Sequence, residues 1–132
     1  VYKRQGYELA GKVKFTQNDI REIQMAKAAI RAGVDILVKK AGIAFDEVDD
    51  CYLAGGFGTK IDITKAAGIG LIPKELEVKT IPVGNTVLAG TKEVLLGRIS
   101  KDELEKIQTM ADVINLAEEN DFEEMYLSYM DF

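Results

Sequence analysis

Asp50-Cys51-Tyr52-Leu53-Ala54-Gly55-Gly56-Phe57-Gly58 joins a short run of strand formers to three glycines in four positions. The run predicts a strand over 50–54 that ends abruptly in a glycine turn. Consecutive glycines permit positive φ and let a ligand approach the backbone with no Cβ in the way. Their amides can also face a phosphate or a nucleoside. A plain turn would use the same glycines, and neither G-x-x-x-x-G-K-[ST] nor a helix-opening G-x-G-x-x-G is present. On pattern alone, both readings stand.

Upstream of the turn, Thr16-Gln17-Asn18-Asp19 is a capping box set before an apolar-periodic run. Ile20, Ile23, Ile30, Val34, Leu37, Val38 and Ala41 recur at helical steps, and Gly42 follows them. A long amphipathic helix over 17–41 is predicted, with Arg31, Asp35 and Lys39 on an exposed face. Downstream, Asp62 caps a short helix over 63–69, closed by Gly70 and Pro73. A second strand is expected over 78–83, where Pro82 favours an edge or strand end. Helices follow over 86–97, behind Gly84-Asn85, and from Ser100-Lys101-Asp102-Glu103 to about 110. Val113–Ala117 predicts a third strand, and Asn120 or Asp121 caps a last helix through Tyr129. Strands alternating with helices predict an α/β fold, with the 50–54 strand central and the long helix on its face.

Composition narrows the chemistry. The 132 residues are 47% hydrophobic and 30% charged, so the chain can bury a core and is not disordered. No apolar run reaches membrane-span length, no signal peptide is visible, and cytoplasm is the expected compartment. A formal charge of −5 argues against nucleic acid or an anionic membrane as partner. Without histidine, the usual zinc sites and every Ser-His or Cys-His mechanism are excluded. Cys51 stands alone, so it forms no intramolecular disulfide and holds no iron–sulfur cluster by itself. Placed inside a strand, it reads as a small apolar filler.

The charge is unevenly spread: from Asp102 to Phe132 ten acids face one base, Lys106. A solvated surface is the simplest reading of that end. A docking segment is the sharper one, and Phe122, Tyr126, Tyr129 and Phe132 among the acids favour packing over disorder. Asp46, Glu47, Asp49 and Asp50 lack EF-hand spacing and read as a charged loop. Gln24, Lys27 and Arg31 share one helix face, as a nucleotide clamp or as a solvated stripe. Asn85 sits where a strand becomes a helix and reads as a cap. The chain opens on Val1-Tyr2-Lys3-Arg4-Gln5 with no initiator Met. Residues 1–7 are therefore expected to be a non-native or disordered start, and the chain to be the tail of a longer protein.

Taken in order, five stretches resemble a known family. They are Phe15-Thr16-Gln17-Asn18-Asp19-Ile20-Arg21-Glu22-Ile23-Gln24, Ala26-Lys27-Ala28-Ala29-Ile30-Arg31-Ala32-Gly33, Tyr52-Leu53-Ala54-Gly55-Gly56-Phe57-Gly58, Ala67-Gly68-Ile69-Gly70-Leu71-Ile72-Pro73 and Val83-Gly84-Asn85. Their order and spacing are similar to the C-terminal part of the reductive activators of corrinoid proteins, from about residue 8 to the end. The resemblance implies an ATP-dependent activator that carries an iron–sulfur cluster and returns cob(II)alamin, on a corrinoid methyl-transfer protein, to cob(I)alamin. It implies a ribonuclease-H-like, actin-like ATPase lobe over residues 8–132, a layered sheet flanked by helices, in the actin, sugar-kinase and heat-shock-chaperone superfamily.

By the same resemblance, Gly55, Gly56, Phe57 and Gly58 correspond to the adenosine motif. Gln24 and Lys27 correspond to positions that contact adenine and ribose, with Arg31 a weaker candidate one turn on. ATP with Mg²⁺ would be shared with the other lobe, and a 2Fe–2S cluster would belong only to the N-terminal part, whose cysteines are absent here. No catalytic residue is assigned, and the chain alone is expected to be inactive. The implied partners are a corrinoid (iron–sulfur) protein and the chain's own upstream ATPase lobe, with a homodimer also open. The same fold serves acyl-CoA-dehydratase activators, kinases and non-catalytic actin-like scaffolds, and these alternatives stay open.

Overall fold

The computed structural model describes residues 6–132. In chain order it contains β1 (Tyr7–Ala10), β2 (Val13–Phe15), α1 (Gln17–Ala41), β3 (Cys51–Ala54), α2 (Gly55–Gly58), α3 (Ile63–Gly68), β4 (Thr80–Gly84), α4 (Thr86–Leu95), α5 (Lys101–Met110) and α6 (Phe122–Ser128). Short 3₁₀ turns fill Phe45–Glu47, Lys74–Lys79 and Leu116–Glu118. Val1–Gln5, expected to be disordered, lie outside the described residues. Tyr7 is already paired with Phe15 in the β1–β2 hairpin, which turns at Gly11 with φ 58°.

The long helix runs where its periodicity predicts. Thr16 Oγ1 accepts the Asp19 amide at 3.3 Å, and the Asp19 carboxylate accepts the Thr16 amide at 2.7 Å. Gly42 ends the helix at φ 69°, its amide donating to Lys39. Beyond it, β3 and β4 pair in parallel, with Cys51 opposite Thr80 and Leu53 opposite Pro82. The core sits beside this pair: Ala66, Leu71, Ile72 and Leu76, with Val34 of α1 and Phe45, Val48, Cys51 and Leu53 packed against them.

The α/β class holds, but the sheet is smaller than expected. Among the described residues there are two separate two-stranded sheets, so the 50–54 strand has one neighbour and is not central. β4 begins at Thr80 because Pro73 opens a 3₁₀ turn through Lys79. Residues 113–117, predicted as a third strand, form no ladder. Asp112 Oδ1 accepts the Val113 amide at 2.9 Å and Asn115 Oδ1 accepts the Ala117 amide at 3.3 Å, so side chains satisfy donors that a sheet would otherwise claim.

The acidic end is not simply solvated, because α6 packs against α1. Asp121 pairs with Lys39, and Glu119 pairs with Lys40 at 2.7 Å. A Cβ at Gly33 would stand 3.3 Å from the Leu116 methyl, so a small residue on α1 lets this segment approach. Arg31 and Asp35, expected on an exposed face, are largely covered, with side chains 17% and 12% accessible. Among the described residues, no helix is long and apolar enough to cross a membrane.

Candidate functional site

β3 ends at Ala54, and the glycines form one helical turn, α2. Each glycine there answers to a different demand. Gly55 has φ 92°, a conformation that side chains other than glycine rarely adopt. A Cβ at Gly58 would lie 2.8 Å from the Leu53 carbonyl oxygen, so packing requires glycine there. Gly56 has neither constraint: its φ is not positive, and a Cβ would meet nothing within 4 Å. The Thr59 hydroxyl donates to the Gly56 carbonyl at 2.8 Å and ties the turn down.

Next to this turn, β4 ends in Gly84 with φ 70°, and a Cβ there would stand 3.5 Å from the Thr59 methyl. Two glycine turns therefore meet at the carboxyl end of a parallel pair, the end at which open α/β sheets bind ligands. Asn85 behaves as a cap, its Oδ1 accepting the Leu88 amide at 3.0 Å.

The helix row divides among three environments. Lys27 is only 4% exposed. Its ammonium donates to the Asp131 carbonyl and lies 4.8 Å from the centroid of the Phe132 ring. Burial pushes its pKa below the usual lysine value, with the Asp131 carboxylate partly opposing. Lys27 lines an apolar cleft of about 560 Å³ with Ile23 and Ala26 of α1 and Ile61, Ile69 and Leu71 around α3. Gln24 lines a different recess, beside Asn18, Arg21, Met25 and Met130. Arg31 is held within the fold: its Nε donates to Asp35 at 3.1 Å, and its guanidinium lies over the Tyr129 and Phe45 rings at 5.0 and 5.7 Å. The Tyr129 hydroxyl also donates to Asp35, which raises the tyrosine pKa.

Gly55, Gly56 and Gly58 line neither of these two recesses. Tyr129, Asp131 and Phe132, which gather around the basic row, were not among the predicted site residues. Their aromatic and acidic character was visible in the sequence, but nothing in it placed them opposite the basic row. Among the described residues the acids at 46–50 form no cluster that could hold a metal ion, and the Lys79 ammonium donates to the Asp46 carbonyl at 2.7 Å. Among the described residues no three His, Cys, Asp or Glu are grouped to hold a metal, and Cys51 is half-buried beside the core. The donor set here does not fit an iron–sulfur cluster.

Comparison with known proteins follows the same lines. The chain matches, over residues 1–132, the family described as the C-terminal domain of RACo, the ASKHA domain. It is 35% identical over 112 residues to the corrinoid activation enzyme RamQ of Eubacterium limosum, covering 85% of this chain and 19% of that protein. It is 28% identical over 122 residues to the Co(II) methylated amine-specific corrinoid protein reductase of Methanosarcina barkeri, covering 91% of this chain and 22% of that one. A solved reductive activator for corrinoid, iron–sulfur protein superposes with a TM-score of 0.72 at 30% identity, over 88% of this chain and 18% of the other. The chain thus spans about a fifth of the length of these relatives. By a match that runs its whole length, the chain belongs to the family of RACo C-terminal domains, with the actin-like ATPase fold.

Proposed function

We propose that this chain is the nucleotide-binding C-terminal lobe of an ATP-dependent reductive activator that returns cob(II)alamin on a corrinoid protein to cob(I)alamin. The observation that carries the nucleotide reading is Gly56. Neither its backbone nor its neighbours require glycine, so the turn leaves a bare Cα at the end of β3 that a ligand can approach. Lys27 adds no support in this arrangement, because its ammonium is buried against the Asp131 carbonyl and the Phe132 ring.

The glycine turn fits part of a nucleotide site, while the apolar cleft that holds Lys27 is lined by other residues. The described residues supply no carboxylate cluster for Mg²⁺, and the proposal gives that ion and the terminal phosphate to the preceding lobe. A 2Fe–2S cluster is likewise given to the preceding chain. Bound ATP would bias two lobes toward a closed arrangement, and this chain's part is to bind and orient the nucleoside end. Arg31 is left out of that contact because Asp35, Tyr129 and Phe45 already engage it.

Titration calorimetry on full-length Gly56→Val tests the reading. A Cβ at this position meets nothing within 4 Å, so unfolding without ATP should change little while ATP binding weakens about 30-fold, roughly 2 kcal/mol. Unchanged affinity would make the turn only a turn. The isolated 132 residues should bind ATP weakly and hydrolyse none.

A further inference from the structure

Every buried residue among those described lies between Lys27 and Leu76. The following helices, α4 and α5, bury nothing. Their side chains are not those of a solvated surface: Val87 is 79% exposed, Leu88 66%, Leu95 81%, Met110 85% and Val113 90%. Val87 and Val94, and Leu88 and Leu95, stand seven residues apart, so α4 carries one continuous apolar stripe. Both helices have well-made N-caps, Asn85 at 3.0 Å and Ser100 with a reciprocal Glu103 box. Yet a ten-residue helix is marginal in water without packing. Its partner surface must come from elsewhere.

The size of the missing partner follows from area. A compact monomer of 14.5 kDa exposes about 6,900 Å² by the usual surface scaling. This chain exposes 10379 Å², an excess of about 3,500 Å² over that scaling. An obligate dimer interface starts at about 2,000 Å² in total, roughly 1,000 Å² on each copy, so a second copy bound at that size would leave much of the excess in solvent. The relatives, by contrast, each carry about four-fifths of their length outside the match, and the family is a C-terminal domain.

We infer that the α4–α5 face, from Val83 to Val113, is the seat of the polypeptide that precedes this domain in the full-length protein, held by apolar contact. The β3–β4 pair agrees: two parallel strands with Tyr52 63% exposed lack the cover that parallel sheets have on both faces. Lys92 lies in α4, and Lys101 and Lys106 lie in α5. The inference extends the upstream-lobe partnership and depends on family membership, not on nucleotide binding, so each can fail without the other.

The test uses the full-length chain, an equal mixture of ¹⁴N and ¹⁵N protein, and a lysine-anchored diazirine crosslinker that traps any neighbouring residue. Links from Lys92 and Lys101 to residues preceding this domain, within one isotopic chain, are expected. In parallel, Leu95→Asp should lower the full-length unfolding midpoint by about 5 °C or more. Mixed-isotope links across this face would assign it to a second copy and overturn the inference. Links confined to this domain, or an unchanged midpoint in Leu95→Asp, would leave the face in solvent and overturn it equally.

Discussion

Residues 27–76 and residues 81–113 are both built from capped helices and short apolar runs, yet only the first region buries any side chain among those described. In the first, Ala28 and Ala32 are fully buried and Ala66, Leu71, Ile72 and Leu76 close a core against Val34 of the long helix. In the second, helices of equal quality at their ends carry Leu95 and Met110 into solvent. Caps and periodicity are local properties, and burial is a property of what lies opposite. The two regions differ in their partners, not in their helix signals.

The largest effect expected from this contrast is at Leu76, which is 3% exposed and central to the core. Leu76→Ala should cost about 3 kcal/mol, the usual loss for a buried leucine with partial collapse of the cavity. Urea unfolding of the full-length protein, followed by a probe within this domain, reads it directly. A loss under about 1 kcal/mol would mean that the 27–76 region is not the organising core.

That division also explains what could be read from the sequence. The helix at 17–41 was legible to the residue because Thr16, Asp19 and Gly42 specify its ends through bonds made within four positions. The strand before the glycines was legible from its apolar run and its abrupt glycine end, and it forms because β4 lies beside it. The strand expected at 113–117 was not real because a strand needs a neighbour; Val113-Ile114 has β propensity but no ladder to join among the described residues. The hairpin at 7–15 gave only an alternation too short to weigh. At the site, the glycine turn was visible in sequence, whereas the covering of Arg31 by Tyr129 was not. Contacts between residues about a hundred positions apart leave no periodic trace. Lys27 was expected in a nucleotide clamp or a solvated stripe, and its burial under Asp131 and Phe132 corrects the solvated reading.

The glycine turn permits a finer comparison within four residues. Gly58→Ala forces a methyl to within 2.8 Å of the Leu53 carbonyl oxygen, which as backbone cannot step aside. It should cost about 1–3 kcal/mol. Gly56→Ala, with open space and no positive φ, should change stability by less than about 0.5 kcal/mol. Thermal unfolding of both variants without nucleotide separates them. Equal losses would remove the argument that Gly56 is free of internal demands.

The smallest effect asks whether local signals have the same strength in both regions. Thr16–Asp19 heads the packed helix and Ser100–Glu103 heads the bare one, and both are reciprocal capping boxes. Thr16→Ala and Ser100→Ala should each cost about 1 kcal/mol, since the capping bonds are the same in kind. Hydrogen bonds from the Thr16 hydroxyl and amide hold the Asp19 carboxyl below the usual carboxylate range, and those from Ser100 do the same for Glu103. A depressed folded pKa stabilises fully above the unfolded value, and that stabilisation is lost as pH falls through the folded one. Wild type and cap variants should therefore differ most at pH 7 and draw closer as pH falls below the usual carboxylate range, through the depressed folded values, as both carboxylates take up protons. Unfolding midpoints between pH 7 and pH 3, together with amide exchange over 17–20 and 101–104, measure this. Equal losses at the two caps would show α5 as firmly formed as α1, its exposed face already covered in the full-length protein. A loss at Thr16 with none at Ser100 would show α5 frayed, with no surface opposite to hold it.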